Sequence, residues 1–203
     1  MLGRLPEQFF ARLVGKVAAK IRAGHDVINL GQGNPDLPTP PHIVEALKKA
    51  ADKPKLHRYS PFRGYGFLRE AVAEFYRREY GVTLDPEREV AVLFGAKAGL
   101  VEISQCFLNP GDLALVPDPG YPDYWSGIAI AGGKMGRMPL AADNGFLPDY
   151  SMLSARQLER AKLMFINYPN NPTGAVASRE FFRETVELAA KHRILVVHDF
   201  AYG

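Results

Sequence analysis

Four short strings carry the residues whose types and spacing could do chemistry. Gly95-Ala96-Lys97-Ala98-Gly99 opens a helical stretch directly after an apolar run. Its small residues let backbone approach an anion, and the free N–H groups at a helix start attract phosphate. Lys97 adds positive charge. A plain strand-to-helix turn explains the same string. Pro117-Asp118-Pro119-Gly120-Tyr121-Pro122 stiffens a turn and presents Tyr121, whose ring could stack on a flat aromatic ligand. A core tyrosine is the ordinary alternative. Asn167-Tyr168-Pro169-Asn170-Asn171-Pro172-Thr173-Gly174 projects Asn171 as a hydrogen-bonding amide. A simple turn also fits, but the length and composition of this string make it more specific than the first two. His198-Asp199-Phe200-Ala201-Tyr202 closes an apolar run with a carboxylate. A buried Asp199 needs a cationic partner, such as a protonated ring nitrogen. Tyr202 follows three residues on, in reach of the same ligand. Helix capping by Asp199 is the alternative.

These strings need elements to place them together. From Glu89 onward, near-continuous apolar runs read as strands covered on both faces: Val90–Phe94, Leu113–Val116, Lys162–Ile166 and Ile194–Val197. Helical stretches lie between them, over Ala98–Leu108, Tyr124–Ala131 and Ser178–Lys191. This alternation predicts an α/β fold, a mostly parallel sheet between two helical layers (αβα). Ligands bind such sheets beyond the C-terminal strand ends, where all four strings fall. Upstream, apolar spacing predicts a helix over Phe9–Ile21, and Val27–Leu30 reads as a short strand. The turn-rich Gly31-Gln32-Gly33-Asn34-Pro35-Asp36 and the prolines after it read as a hinge, with a helix over His42–Ala51 next. The expected division is an N-terminal arm with part of a small domain over residues 1–40, and part of a large domain over 41–203.

Composition narrows the function. The chain has 203 residues, 47% hydrophobic and 23% charged, with net charge +3. Acids and bases interleave between Arg69 and Glu79, which reads as a solvated surface and argues against a nucleic-acid partner. One cysteine, Cys106, sits in an apolar run and reads as a buried thiol in a reducing compartment. No apolar stretch is long enough to span a membrane, and the first residues lack a signal-peptide core. The expected location is therefore cytoplasmic. The five histidines are scattered, and no paired-cysteine motif, Walker loop or metal site is expected.

Taken together, the strings resemble the fold-type I pyridoxal-phosphate (PLP) enzymes, specifically the class I/II aminotransferases. The resemblance covers nearly the whole chain, in the family's order. It implies that Ala96 and Lys97 cradle the cofactor phosphate and that Tyr121 stacks on the pyridine. It implies that Asn171 and Tyr202 donate to the phenolic oxygen and that Asp199 pairs with the ring nitrogen. Asp199 and Tyr202 are thus the expected catalytic pair. Gly33 matches the glycine beside the substrate carboxylate. Tyr59, in Tyr59-Ser-Pro-Phe-Arg-Gly64, matches the tyrosine that reaches the cofactor of a partner subunit, which implies a homodimer. The substrates implied are small molecules, an amino acid and a 2-oxo acid.

Within the family, the strings around Gly33, Ala96 and Tyr121 are worded most like the methionine-salvage branch, which aminates 4-methylthio-2-oxobutanoate. The chain departs from the family by ending after Tyr202. The cofactor-bearing lysine, the phosphate arginine and the substrate-carboxylate arginine belong to later segments, so this chain by itself is expected to be inactive. Other chemistries share these residues, namely a C–S lyase or decarboxylase. A non-catalytic PLP-sensing regulator is a further alternative, although only a short arm precedes Gly31. A dinucleotide module fits poorly, since Asp36 stands where a third glycine is needed.

Overall fold

The computed structural model describes residues 9–31, 33 and 37–203. Their contacts define two compact units, Gln8–Leu93 and, in its described part, Phe94–Gly203.

The first unit holds helices α1 (Phe9–Arg22), α2 (Pro41–Ala51) and α3 (Gly66–Tyr80). α2 starts with Pro41 at its first position, where a missing N–H costs nothing. α3 ends at Gly81, whose left-handed φ of 67° lets its N–H reach the carbonyls of Tyr76 and Arg77. This helix lies in the charge-rich stretch expected to be fully solvated, and one residue departs from that expectation. Arg69 is buried, at 6% exposure, and pairs with Glu87. Glu87 also takes an ion pair from Arg63. A buried guanidinium needs such a partner.

Two expected strands do not form. Val27–Leu30 has no ladder; instead Asn29 turns its side chain back to accept the Gly31 N–H at 3.0 Å. Val90–Phe94 is extended but unpaired, its one backbone bond running from Val92 N–H to the Arg63 carbonyl. An apolar run becomes a strand only when a neighbour supplies a ladder of hydrogen bonds, and the segment at Arg63 supplies one bond alone among the described residues.

The second unit runs α4 (Ala96–Phe107), β1 (Leu113–Asp118), α5 (Pro122–Ile130), β2 (Lys134–Pro139), α6 (Ala155–Arg160), β3 (Ala161–Asn167), α7 (Arg179–His192) and β4 (Leu195–Asp199). The sheet order is β2-β1-β3-β4, and every pair is parallel. Strand side chains alternate between faces. Ala114, Val116, Leu163 and Phe165 pack on one face with Leu100 of α4 and with Tyr124 and Ile128 of α5. Leu115, Met164 and Ile166 point the other way, onto Phe181 and Ala189 of α7. This is the expected three-layer α/β arrangement with a parallel sheet. Leu163 and Phe165 are wholly buried, and each contributes roughly 1.5–3 kcal/mol.

β2 and α6 are absent from the sequence expectation. β2 is an edge strand that buries only Gly136 and Met138, so Lys134 and Arg137 break its apolar pattern. α6 is six residues long and is held by a capping box between Ser154 and Gln157. Cys106 corrects another expectation: its thiol is exposed. α4 buries Leu100 and Ser104, and Cys106 falls on a different face.

Candidate active site

β1, β3 and β4 all end at one edge of the sheet, and a cavity of about 280 Å³ opens beyond those ends. Ala96 and Lys97 line it from the start of α4, and Tyr121 from the turn after β1. Asn171 joins them from the turn after β3, and Asp199 and Tyr202 from the end of β4. These residues, read separately along the sequence, therefore meet in the second unit. Tyr59 and Gly33 belong to the first unit, where the Tyr59 side chain is fully exposed.

α4 begins at Ala96, two residues earlier than expected. Its N-cap, Gly95, takes φ 88° and offers no side-chain cap. The first N–H groups of α4 thus have no side-chain acceptor and stand at the cavity. A close approach to α5 fixes the helix. A Cβ on Gly127 would come within 2.9 Å of the Val101 Cα and 3.1 Å of the Leu100 carbonyl oxygen. Lys97 Nζ lies 5.6 Å from the centre of the Tyr121 ring and 4.0 Å from Asp123 Oδ2. The neighbouring Tyr121 side chain first, then Asp123, hold this lysine above its ordinary pKa range.

Tyr121 is placed by the turn before α5. Gly120 is required there, because a Cβ would run into the Pro117 carbonyl oxygen. Tyr121 sits edge-on to Tyr124, with centroids 6.0 Å apart at 67°. Tyr124 is wholly buried and stacks on Phe165 at 4.9 Å. Its hydroxyl donates to Asp199 Oδ2 at 2.8 Å. Burial first, then that hydrogen bond, pushes the Tyr124 hydroxyl well above its usual pKa. At neutral pH Tyr124 is therefore protonated and donates to the carboxylate. Among the described residues no donor reaches Asp199 Oδ1. A turn at Ala201–Tyr202 follows β4.

The turn after β3 is held by two other asparagines. Asn170 Oδ1 accepts from the Thr173 N–H and hydroxyl, and its own N–H donates to the Ala175 carbonyl. Asn167, 2% exposed, accepts from the Asn171 N–H at 2.7 Å and donates to the Asp199 main-chain carbonyl at 2.8 Å. The Asn171 amide side chain and the Tyr202 hydroxyl are left with no hydrogen-bond partner among the described residues. Tyr124 and Asn167 were not singled out from sequence. Tyr124 follows Tyr121 by three positions, one helical turn, and Asn167 is the polar residue that ends the β3 apolar run. Both were signals of a sort.

The site therefore offers an open helix start and a cation at one end. A ring stands at the side. A hydrogen-bonded carboxylate and two unpartnered polar groups complete it. Such a constellation can hold a flat, phosphorylated, nitrogen-bearing aromatic ring. Among the described residues no group of three or more His, Cys, Asp or Glu side chains could hold a metal ion. No described helix is long and apolar enough to cross a membrane.

The sequence profile described as aminotransferase class I and II matches residues 25–203, and the chain belongs to that family. It is similar to the L-glutamine–4-(methylsulfanyl)-2-oxobutanoate aminotransferase of Bacillus subtilis (strain 168), 66% identical over the whole chain and 51% of that protein. It is 58% identical to transaminase BacF of the same organism, over 98% of the chain and 50% of the relative. A solved structure of apo-BacF from Bacillus subtilis superimposes with a TM-score of 0.93 at 57% identity, covering 100% of this chain and 51% of that one. The chain thus spans about half the length of the relatives it matches.

Proposed function

We propose that the chain forms the N-terminal half of a PLP-dependent aminotransferase, and that the cavity beyond β1, β3 and β4 holds the cofactor. The observation that carries this reading is Asp199: a carboxylate at the cavity, oriented by a buried tyrosine hydroxyl, with its second oxygen unpartnered among the described residues. Two further observations support the fit. The uncapped start of α4, with Lys97, suits a phosphate. The Asn171 amide and Tyr202 hydroxyl, unpartnered among the described residues, suit a phenolic oxygen.

Bound there, pyridoxal phosphate would supply an electron sink for charge developing at the substrate α-carbon. Asp199 would keep the ring nitrogen protonated by pairing with its charge. Tyr124 holds that carboxylate in place. Asn171 and Tyr202 would stabilise negative charge on the phenolic oxygen. Ala96 and Lys97 would fix the phosphate, and Tyr121 would cover one ring face. Gly33 would lie by the substrate carboxylate.

The substrates proposed are an amino donor, glutamine, and the keto acid 4-methylthio-2-oxobutanoate, by similarity to the Bacillus subtilis relative. A cytoplasmic homodimer belongs to the same reading, with Tyr59 reaching the partner's cofactor phosphate. So does a division into an arm and small-domain part (1–40) and a large-domain part (41–203). The test is a full-length protein containing this chain, loaded with PLP and given glutamine and 4-methylthio-2-oxobutanoate. Methionine is the expected product. Methanethiol or carbon dioxide from methionine, without amino transfer, would instead indicate a lyase or decarboxylase on the same fold.

A further inference from the structure

We infer that Asn167 is a positioning residue that couples two cofactor contacts, setting the main chain of Asp199 and of Asn171 through one side-chain amide. This rests on the cofactor reading above and goes beyond it, because it assigns a role to a residue outside the set of direct contacts.

Asn167 ends β3 and stands in register with Asp199, which ends β4. The ladder therefore brings the two residues side by side, but it does not reach the turn that carries Asn171. The Asn167 side chain makes that link. Its Nδ2 donates to the Asp199 carbonyl at 2.8 Å, and its Oδ1 accepts the Asn171 N–H at 2.7 Å. The polarity of the partners fixes the amide orientation: turned over, N–H would face N–H and oxygen would face oxygen. Asn170 Nδ2 adds a bond to the Asn167 carbonyl at 3.2 Å. Asn167 is also 2% exposed, so water does not substitute for it.

The consequence is a fixed spacing. Asp199 is placed for the ring nitrogen and Asn171 for the phenolic oxygen. One amide holds both backbones, so the two contacts move together. An apolar side chain of equal size would fill the space and leave a part-buried N–H and a part-buried carbonyl without their present partner.

Substitution by aspartate gives a sharp test. A protonated carboxyl can donate to the Asp199 carbonyl and accept from the Asn171 N–H, as the amide does. An ionised carboxylate can only accept. Among the described residues, the charged and titratable groups around Asn167 and this cavity are Asp199 and His198 of β4, Tyr202 beyond it, Tyr168 after β3, Lys97 of α4, and Tyr121, Asp123 and Tyr124 at α5. All of them are shared by the unsubstituted protein, so a pH step unique to the variant belongs to position 167.

The experiment measures PLP dissociation constants across pH for the full-length protein, Asn167→Asp and Asn167→Leu, with apo-protein thermal unfolding as the folding control. Asn167→Leu is expected to bind PLP on the order of tenfold more weakly at every pH. Asn167→Asp is expected to bind like the unsubstituted protein at low pH and to weaken on the order of tenfold as its carboxyl ionises. Should the leucine variant fail to fold, the aspartate profile decides alone. An Asn167→Asp profile superimposable on that of the unsubstituted protein would overturn the positioning role. Absence of PLP binding by the unsubstituted protein would overturn the cofactor reading, and this inference with it.

Discussion

The Tyr124 hydroxyl donates to Asp199 Oδ2 at 2.8 Å, joining two residues 75 positions apart at the floor of the cavity. The tyrosine ring is wholly buried between Phe165 and the edge of Tyr121. Tyr124→Phe keeps that ring and removes only the donor. The expected result is a folded protein less stable by about 1 kcal/mol. In the full-length enzyme the bound cofactor is expected to be held less tightly, since Asp199 loses its orienting bond. Denaturant unfolding and PLP affinity check both parts.

Alkaline pH should weaken the fold. Burial raises the pKa of Tyr124, Tyr150 and Tyr168, in Tyr150 to about 12. An unfolded tyrosine ionises near pH ~10. Above that pH the folded chain retains protons that the unfolded chain has released. The stabilising contribution is thus complete below pH ~10 and is lost as pH rises through the folded values. A Tyr124→Phe, Tyr150→Phe double variant is expected to show a shallower alkaline decline in unfolding free energy. An equal decline in both proteins would remove these two tyrosines as the cause.

How much of this was legible in the sequence depended on range. The strings around Lys97, Tyr121, Asn171 and Asp199 are local, and each marks its own turn. Asp199 advertises a carboxylate at a strand end, but nothing near it in sequence names Tyr124 as its donor. Asn167 looks like the end of an apolar run until the turn folds back on it. Val90–Phe94 carries a strand's composition but meets its described neighbour at Arg63 through one backbone bond and forms no ladder. β2 was hidden because an edge strand needs only alternate apolar residues, here Gly136 and Met138. Cys106 was misread because an apolar run in a helix still turns one face outward.

Tyr202 bears on the phenolic oxygen. Its side chain is 58% exposed, so Tyr202→Phe should leave stability nearly unchanged. A hydrogen-bond donor to an oxyanion lowers the oxygen's proton affinity. Removing it should raise the pH midpoint of the bound cofactor's absorption change in the full-length enzyme. A spectrophotometric pH titration checks the direction, and an unchanged midpoint would take Tyr202 out of contact with that oxygen.

Gly127 tests the placement of the α4 start. Gly127→Ala inserts a methyl between α5 and the α4 backbone, 2.9 Å from the Val101 Cα. Overpacking of this kind costs roughly 1–3 kcal/mol. The expected variant unfolds at lower temperature and binds inorganic phosphate and PLP more weakly, because the Ala96 and Lys97 N–H groups shift. Thermal denaturation and binding measured together separate the two effects.

The most direct test concerns Asp199 and the ring nitrogen. Isotope-labelled PLP, bound to the full-length enzyme, reports protonation of its ring nitrogen through the nitrogen NMR shift. With Asp199 in place the nitrogen is predicted to be protonated at neutral and mildly alkaline pH, and in Asp199→Ala it is predicted to lose that proton. The same shift in both proteins would contradict the assignment of this cavity as the cofactor site with Asp199 at the ring nitrogen.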